Sequence, residues 1–172
     1  MIVTGLVALA AAIAVPTIGA TMRRYALTNA AQQVASVVRS ARYTAVSKNK
    51  VVRVRFNCPE NGQFRLVEVT ADNTIDQAAD RCSDSEYPYP DPDPAAAPNV
   101  DGPVLVTPPD TEFDSATDIQ ISEQGRLTTL TGCPICVSGG GAASIVLGNG
   151  SESQTVSVGS TGQVTVGPVV PN

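Results

Sequence analysis

The first 22 residues, Met1 to Met22, carry no charged side chain and are dominated by Ile, Val, Leu and Ala. A helix crossing a bilayer needs about 20 apolar residues at roughly 1.5 Å each, and this run meets that length. A cleaved secretory signal would place basic residues before the apolar run and a polar break after it. Neither is present, because the helical pattern continues beyond Arg23 and Arg24. Val34, Val37, Val38, Ala41 and Ala45 fall on one face at helical spacing, so a single helix over about residues 2 to 47 is expected.

The first half of that helix is apolar all round and the second half amphipathic. The first suits lipid or a packed helical bundle, and the second can lay its stripe on a sheet. Pro16 lies inside the apolar half, where it removes a backbone hydrogen bond and is expected to kink or locally melt the helix, and Gly5 and Gly19 add weak points. The expected division is a transmembrane or bundle segment over 1–22, its amphipathic continuation over 23–48, and a head over 49–172. The positive-inside rule alone would set Arg23 and Arg24, and the head with them, in the cytoplasm. The cysteines argue for the opposite side.

Charge is segregated along the chain. Residues 1–55 hold Arg23, Arg24, Arg39, Arg42, Lys48, Lys50, Arg53 and Arg55 and no acid. All 16 acids lie beyond, against only Arg65, Arg81 and Arg126, a balance of about −13. Such a bipolar molecule can set its basic part against the acidic part of a neighbour, or against anionic lipid head groups.

The stretch Leu9-Ala10-Ala11-Ala12-Ile13-Ala14-Val15-Pro16, followed by more helix and a β-rich remainder, resembles the N-terminus of type IV pilins and type II secretion pseudopilins. Members of that family begin, after leader cleavage, with Phe-Thr-Leu-Ile-Glu, and this run is absent here. Aligned on Pro16, the resemblance implies a short stretch ahead of Met1 that includes the glutamate used in assembly. It also implies an assembly helix containing Gly5, Pro16, Gly19, Arg23 and Arg24, and an α+β fold in which a long N-terminal helix packs on an antiparallel β-rich head.

In the head, Val52, Val54 and Phe56 alternate with Arg53 and Arg55, the period of a half-buried strand. Pro59-Glu60-Asn61-Gly62 supplies a turn, with Phe64 to Thr70 as the return strand. Further strands are expected at Val104–Thr107, Ile119–Ser122, Arg126–Leu130, Ser144–Leu147, Gln154–Val158 and Val164–Val166, with turns at Gly125, Asn149-Gly150 and Gly162. The segments Ile119 to Arg126 and Val156 to Val166 resemble heads of the GspH/FimT type. Aromatics make up 4% of the chain and there is no Trp, so the core must come from Val, Ile, Leu and Ala.

Residues 83–103 read as a Pro-rich acidic loop. Tyr87-Pro88-Tyr89-Pro90-Asp91-Pro92-Asp93-Pro94 suits neither helix nor central strand and is expected to be extended and exposed. A proline-binding partner is a weak alternative. Asp91, Asp93 and Asp101 lack the spacing of a calcium loop.

Four cysteines, Cys58, Cys82, Cys133 and Cys136, allow three disulfide pairings, the local one joining Cys58 to Cys82 and Cys133 to Cys136. A redox motif at Cys133-Pro134-Ile135-Cys136 lacks a thioredoxin-like setting, and a zinc site lacks a second close pair and any His. Disulfides are the favoured state, which points outside the cytoplasm.

No catalytic constellation, metal site or cofactor is expected. The chain has no His, no nucleophile elbow and no phosphate-binding Gly-Lys-Ser/Thr loop; Gly139-Gly140-Gly141 reads as a flexible loop, and Asn149-Gly150-Ser151 fits a glycosylation pattern and a hairpin turn equally. The resemblance implies a non-enzymatic subunit that polymerises through its N-terminal helix into a pilus-like filament. Its partners would be copies of itself or other pilins, with an inner-membrane stage before assembly and a periplasmic head. A minor pseudopilin is the alternative. A DNA-uptake minor pilin is disfavoured, because relatives with that role use a Gly-Arg-x-Arg segment where this chain has Gly162-Gln163-Val164-Thr165, and the acidic head repels a polyanion.

Overall fold

The computed structural model describes residues 2–70, 72–93, 95–128 and 142–172, and for residues 2–18, 20 and 73 the backbone alone. Helix α1 spans Ile2–Lys48. It runs without interruption through Pro16, so local melting there does not occur; one missing bond is tolerated inside a ladder of neighbours. Asn49 takes the left-handed conformation (φ 53°) that ends helices, and the Lys50 N–H turns back to the Ala45 carbonyl at 3.1 Å.

Among the described residues nine strands follow: β1 (Val52–Phe56), β2 (Gln63–Glu68), β3 (Leu105–Val106), β4 (Glu112–Ser115), β5 (Ile119–Ile121), β6 (Leu127–Thr128), β7 (Ala143–Gly148), β8 (Glu152–Val158) and β9 (Val164–Pro171), with a single helical turn α2 (Asn73–Asp76) after β2. One antiparallel sheet has the order β3-β2-β1-β5-β6 and the other β4-β7-β8-β9. The α+β architecture of a long helix on antiparallel sheets is therefore the one the resemblance implies. In the β1–β2 hairpin Val52 faces Glu68 and Phe56 faces Phe64. Its turn needs Gly62 at φ +73°, whose N–H is held by the Asn57 side chain at 3.0 Å.

Two strands depart from expectation. β4 escapes the alternation rule because Glu112-Phe113-Asp114-Ser115 offers one apolar residue, Phe113, which is its only buried one. β9 runs past Val166 to Pro171 because it is an edge strand, where prolines without an N–H cost no ladder bond on the open side. Part of the expected strand Arg126–Leu130 lies outside the described residues, which show Leu127–Thr128.

The core lies between α1 and both sheets. From the helix it takes Leu27, Ala30, Ala31, Val34, Ala35, Val38, Ala41 and Ala45, all fully buried. That stripe contains the positions expected from the helical spacing, except that Val37 is only partly buried at its margin. α1 touches β1 and β5 of one sheet and β7, β8 and β9 of the other. Phe56 and Phe64 meet Phe113 across the junction at ring-centroid distances of 5.2 and 5.8 Å, so all three phenylalanines of the chain sit where the sheets converge.

Because five of the eight stripe residues are alanine, the helix backbone approaches the sheets closely. Ala41→Leu is expected to destabilise the full chain by about 1–3 kcal/mol through overpacking. Ser40→Ala, on the exposed side, should stay within about 0.5 kcal/mol of the parent. Urea denaturation in mild detergent measures both.

Candidate functional site

The expected assembly residues lie on α1. Gly5 and Pro16 are helical; Gly19 is exposed with open space where a Cβ would stand, and Arg23 and Arg24 are exposed. Among the described residues no helix is long and apolar enough to cross a membrane. From Thr21 onward the outward side of α1 is mostly polar, but it also carries Met22, Tyr25, Tyr43 and Val46, each more than half exposed.

Two open grooves flank the buried stripe. At 3.6 residues per turn, Arg39, Arg42, Tyr43 and Val46 lie about 40–140° to one side of Val38, and Val37, Ser40, Thr44 and Lys48 about 80–160° to the other. The first set, with the β8–β9 turn at Thr161 to Val164, lines a groove of 690 Å³. The second, with Tyr89 and residues 99–103, lines a groove of 500 Å³.

The first groove is basic. Arg42 is packed against two glycine turns: a Cβ on Gly162 would meet the Gly125 carbonyl oxygen at 2.5 Å and Arg42 Cδ at 3.0 Å, and one on Gly125 would meet Arg42 Nε at 3.1 Å. Both glycines have positive φ, 73° at Gly125 and 76° at Gly162. The departure from Gly-Arg-x-Arg at Gly162 therefore sits beside arginines supplied by the helix, which spacing within the segment gave no means of finding.

The second groove is bounded by the Pro-rich loop, and the way this loop is fastened was not evident in the sequence. Arg65, fully buried, donates to four backbone carbonyls: Gly102 at 2.7 Å, Cys82 and Ser83 at 3.2 Å each, and Tyr87 at 2.6 Å. One guanidinium thus holds both ends of the loop, a use of its planar fork that lysine cannot reproduce. Burial pushes its pKa down, opposed by Asp101 and Asp84. Arg81, also fully buried, forms a two-pronged pair with Asp101, its Nη2 lying 2.8 Å from Oδ1, and its guanidinium stacks 4.5 Å from the Tyr87 ring. Asp101 is thus occupied by Arg81, which removes it from any calcium-contact reading.

Cys58 and Cys82 are joined by a disulfide that ties the hairpin end to the loop, and both pack with Val67. Cys133 and Cys136 lie outside the described residues, as do Gly139 to Gly141. Lys50 reaches Glu68 and Asn99, both at 2.6 Å. Arg53 is only 8% exposed and donates to Gln120 at 3.2 Å, so β1 is covered on both faces rather than half-buried. The cover is the polar segment between β2 and β3. Loop residues 84–86, 88–90, 92–93 and 95–97 stand exposed, as expected of a surface loop.

A long helix laid across two antiparallel sheets is the architecture of a type IV pilin-like fold. No protein-family model matches the chain, and no curated protein matches it in sequence. Among solved structures it is similar to the type IV minor pilin FimU of Pseudomonas aeruginosa, with 13% identity, a TM-score of 0.54, and coverage of 86% of this chain and 92% of that one. A second crystal form of FimU aligns over 83% of this chain and 93% of that one, at 13% identity and a TM-score of 0.49. The likeness is one of fold.

Asp101→Ala should destabilise the full chain by about 3–5 kcal/mol, because it leaves Arg81 buried without its counter-charge. The double change Arg81→Met with Asp101→Leu should cost clearly less, and thermal or urea unfolding compares the two. Asp118 offers a pH test. Burial raises its pKa above the ordinary 3.8, against the Phe56 N–H at 3.1 Å and the Arg55 and Arg53 charges. A carboxyl with a raised folded pKa contributes stability at pH below its unfolded value and loses it as pH rises through the folded value. Asp118→Asn should therefore gain on the parent in urea midpoint as pH rises from about 3 to about 7, while retaining an acceptor for the Phe56 N–H.

Proposed function

We propose that this chain is a non-enzymatic structural subunit that polymerises through α1 into a type IV pilus-like filament. The observation that carries the proposal is the division of α1. The head takes its buried stripe from Leu27 to Ala45, while the helix itself begins at Ile2, so more than twenty residues of helix precede the head's core. In sequence that leading stretch is the uncharged run Met1–Met22, which a bilayer or a bundle of like helices would cover. The pilin-like fold supports the same role.

In this reading residues 1–22 form the filament-core segment, 23–48 its amphipathic continuation and 49–172 the head, and Gly5, Pro16, Gly19, Arg23 and Arg24 belong to the assembly helix. Before assembly the helix rests in the inner membrane with the head in the periplasm, and afterwards the subunit is extracellular. The Cys58–Cys82 disulfide favours an oxidising compartment for the head.

Immunogold electron microscopy of native cells with an antibody to the head tests the reading. Label along surface filaments is the expected outcome, and label confined to the envelope in cells that bear filaments would overturn it. Where opposite charges join subunits, raising salt from about 0.1 M to about 1 M shortens the screening length from roughly 10 Å to roughly 3 Å. Shed filaments should therefore fragment more readily in high salt.

A further inference from the structure

The first groove is basic, while the loop that bounds the second is acidic, and this suggests what occupies the first. Arg39 and Arg42 are exposed in the first groove and make no ion pair among the described residues. The Arg42 side chain lies close against Gly125 and Gly162 and lines the groove. Tyr43 and Val46 stand beside it, 75% and 53% exposed.

On the other flank the loop from Ser83 to Pro103 contains Asp84, Glu86, Asp91 and Asp93 and no basic residue. Its base is fixed by Arg65 at Cys82, Ser83, Tyr87 and Gly102, and its outer part is stiffened by prolines. A stiff, pre-fastened arm loses little conformational freedom on docking. Tyr89 of this loop is 51% exposed, and Tyr43 and Val46 of the basic groove are exposed as well.

We infer that the acidic Pro-rich loop of one copy docks in the Arg39/Arg42 groove of the next, with Asp91 and Asp93 against the two arginines and Tyr89 against Tyr43 and Val46. Arm and groove lie on opposite flanks of the same helix, so a copy that receives an arm still offers its own. The contact is heterologous and propagates instead of closing as a two-fold dimer. It rests on the structural-subunit reading and names the lateral contact which that reading leaves open.

Carbodiimide, which joins a carboxylate to an amine without a spacer, reports the contact directly. Full-length Arg42→Lys chain, in equal parts isotope-labelled and unlabelled, is expected to give a mixed-label peptide linking position 42 to Asp91 or Asp93. The link should vanish with Asp91→Asn/Asp93→Asn. In cells, Arg39→Glu/Arg42→Glu and Asp91→Lys/Asp93→Lys should each lower incorporation into filaments by about tenfold, since like charges are then apposed. Coexpression of the two variants should recover it, because each then presents the other's complement.

Labelled filaments without the mixed-label link would overturn the docking and leave the structural subunit standing. The link without filaments would support the contact and count against polymerisation. Loss of the link together with retention of a single-stranded oligonucleotide that Arg39→Glu/Arg42→Glu abolishes would assign the groove to a polyanion instead, and overturn the docking.

Discussion

One helix serves as floor to two sheets, and the rest of the molecule depends on how closely it can approach them. Leu27, Val34 and Val38 supply volume, while Ala30, Ala31, Ala35, Ala41 and Ala45 let the helix backbone come near both sheets at once. Among the described residues the sheets share no ladder, and Leu127 N–H donates to Ser160 C=O, at 3.1 Å, between their margins. Their relative position is set by the alanine-rich stripe and the three phenylalanines. A load applied to the head therefore reaches the N-terminal half of α1 through close-packed contacts, which have low compressibility.

The far face of the five-stranded sheet is covered by another kind of chemistry. The segment between β2 and β3 has few large apolar residues, and its dry cluster there is Cys58, Val67 and Cys82. Arginines complete the layer. Buried ion pairs are weak sources of net stability because desolvation offsets much of the Coulomb gain. Arg65 escapes most of that objection, since its hydrogen bonds go to four backbone carbonyls rather than to one buried counter-charge. What this layer provides is a defined shape for a loop whose composition could not define one, with the disulfide closing the same region covalently.

The helix and most strands were legible because their signals are local. A stripe at i, i+3, i+4 and i+7 marks the buried face of α1, and period-two alternation marks β1 and its hairpin partner. β4 was missed because one phenylalanine in four residues is no pattern, and its place in the sheet comes from pairing with β7, about 35 residues away in sequence. The roles of Arg65, Arg81 and Asp101 were hidden for the same reason. Their side-chain hydrogen-bond partners lie between 13 and 37 positions away, a distance over which charge alone predicts a surface site. The basic groove joins helix residues to turns more than eighty positions later, so no motif could announce it.

Charge segregation in the sequence overstates the opposition in the fold and also relocates it. Of the eight cations before residue 56, Lys50, Arg53 and Arg55 are taken up inside the head by Glu68, Gln120 and Asp118. Glu68, Asp101 and Asp118 are likewise engaged internally, so they add little to the field seen by a neighbour. Five cations, Arg23, Arg24, Arg39, Arg42 and Lys48, stay exposed along one helix, and four acids between Asp84 and Asp93 stay on one loop. The exposed cations of this half are thus confined to the helix, while exposed acids are spread over the head, at Glu60, Asp72, Asp80, Asp110, Glu112 and Asp114 as well as on the loop.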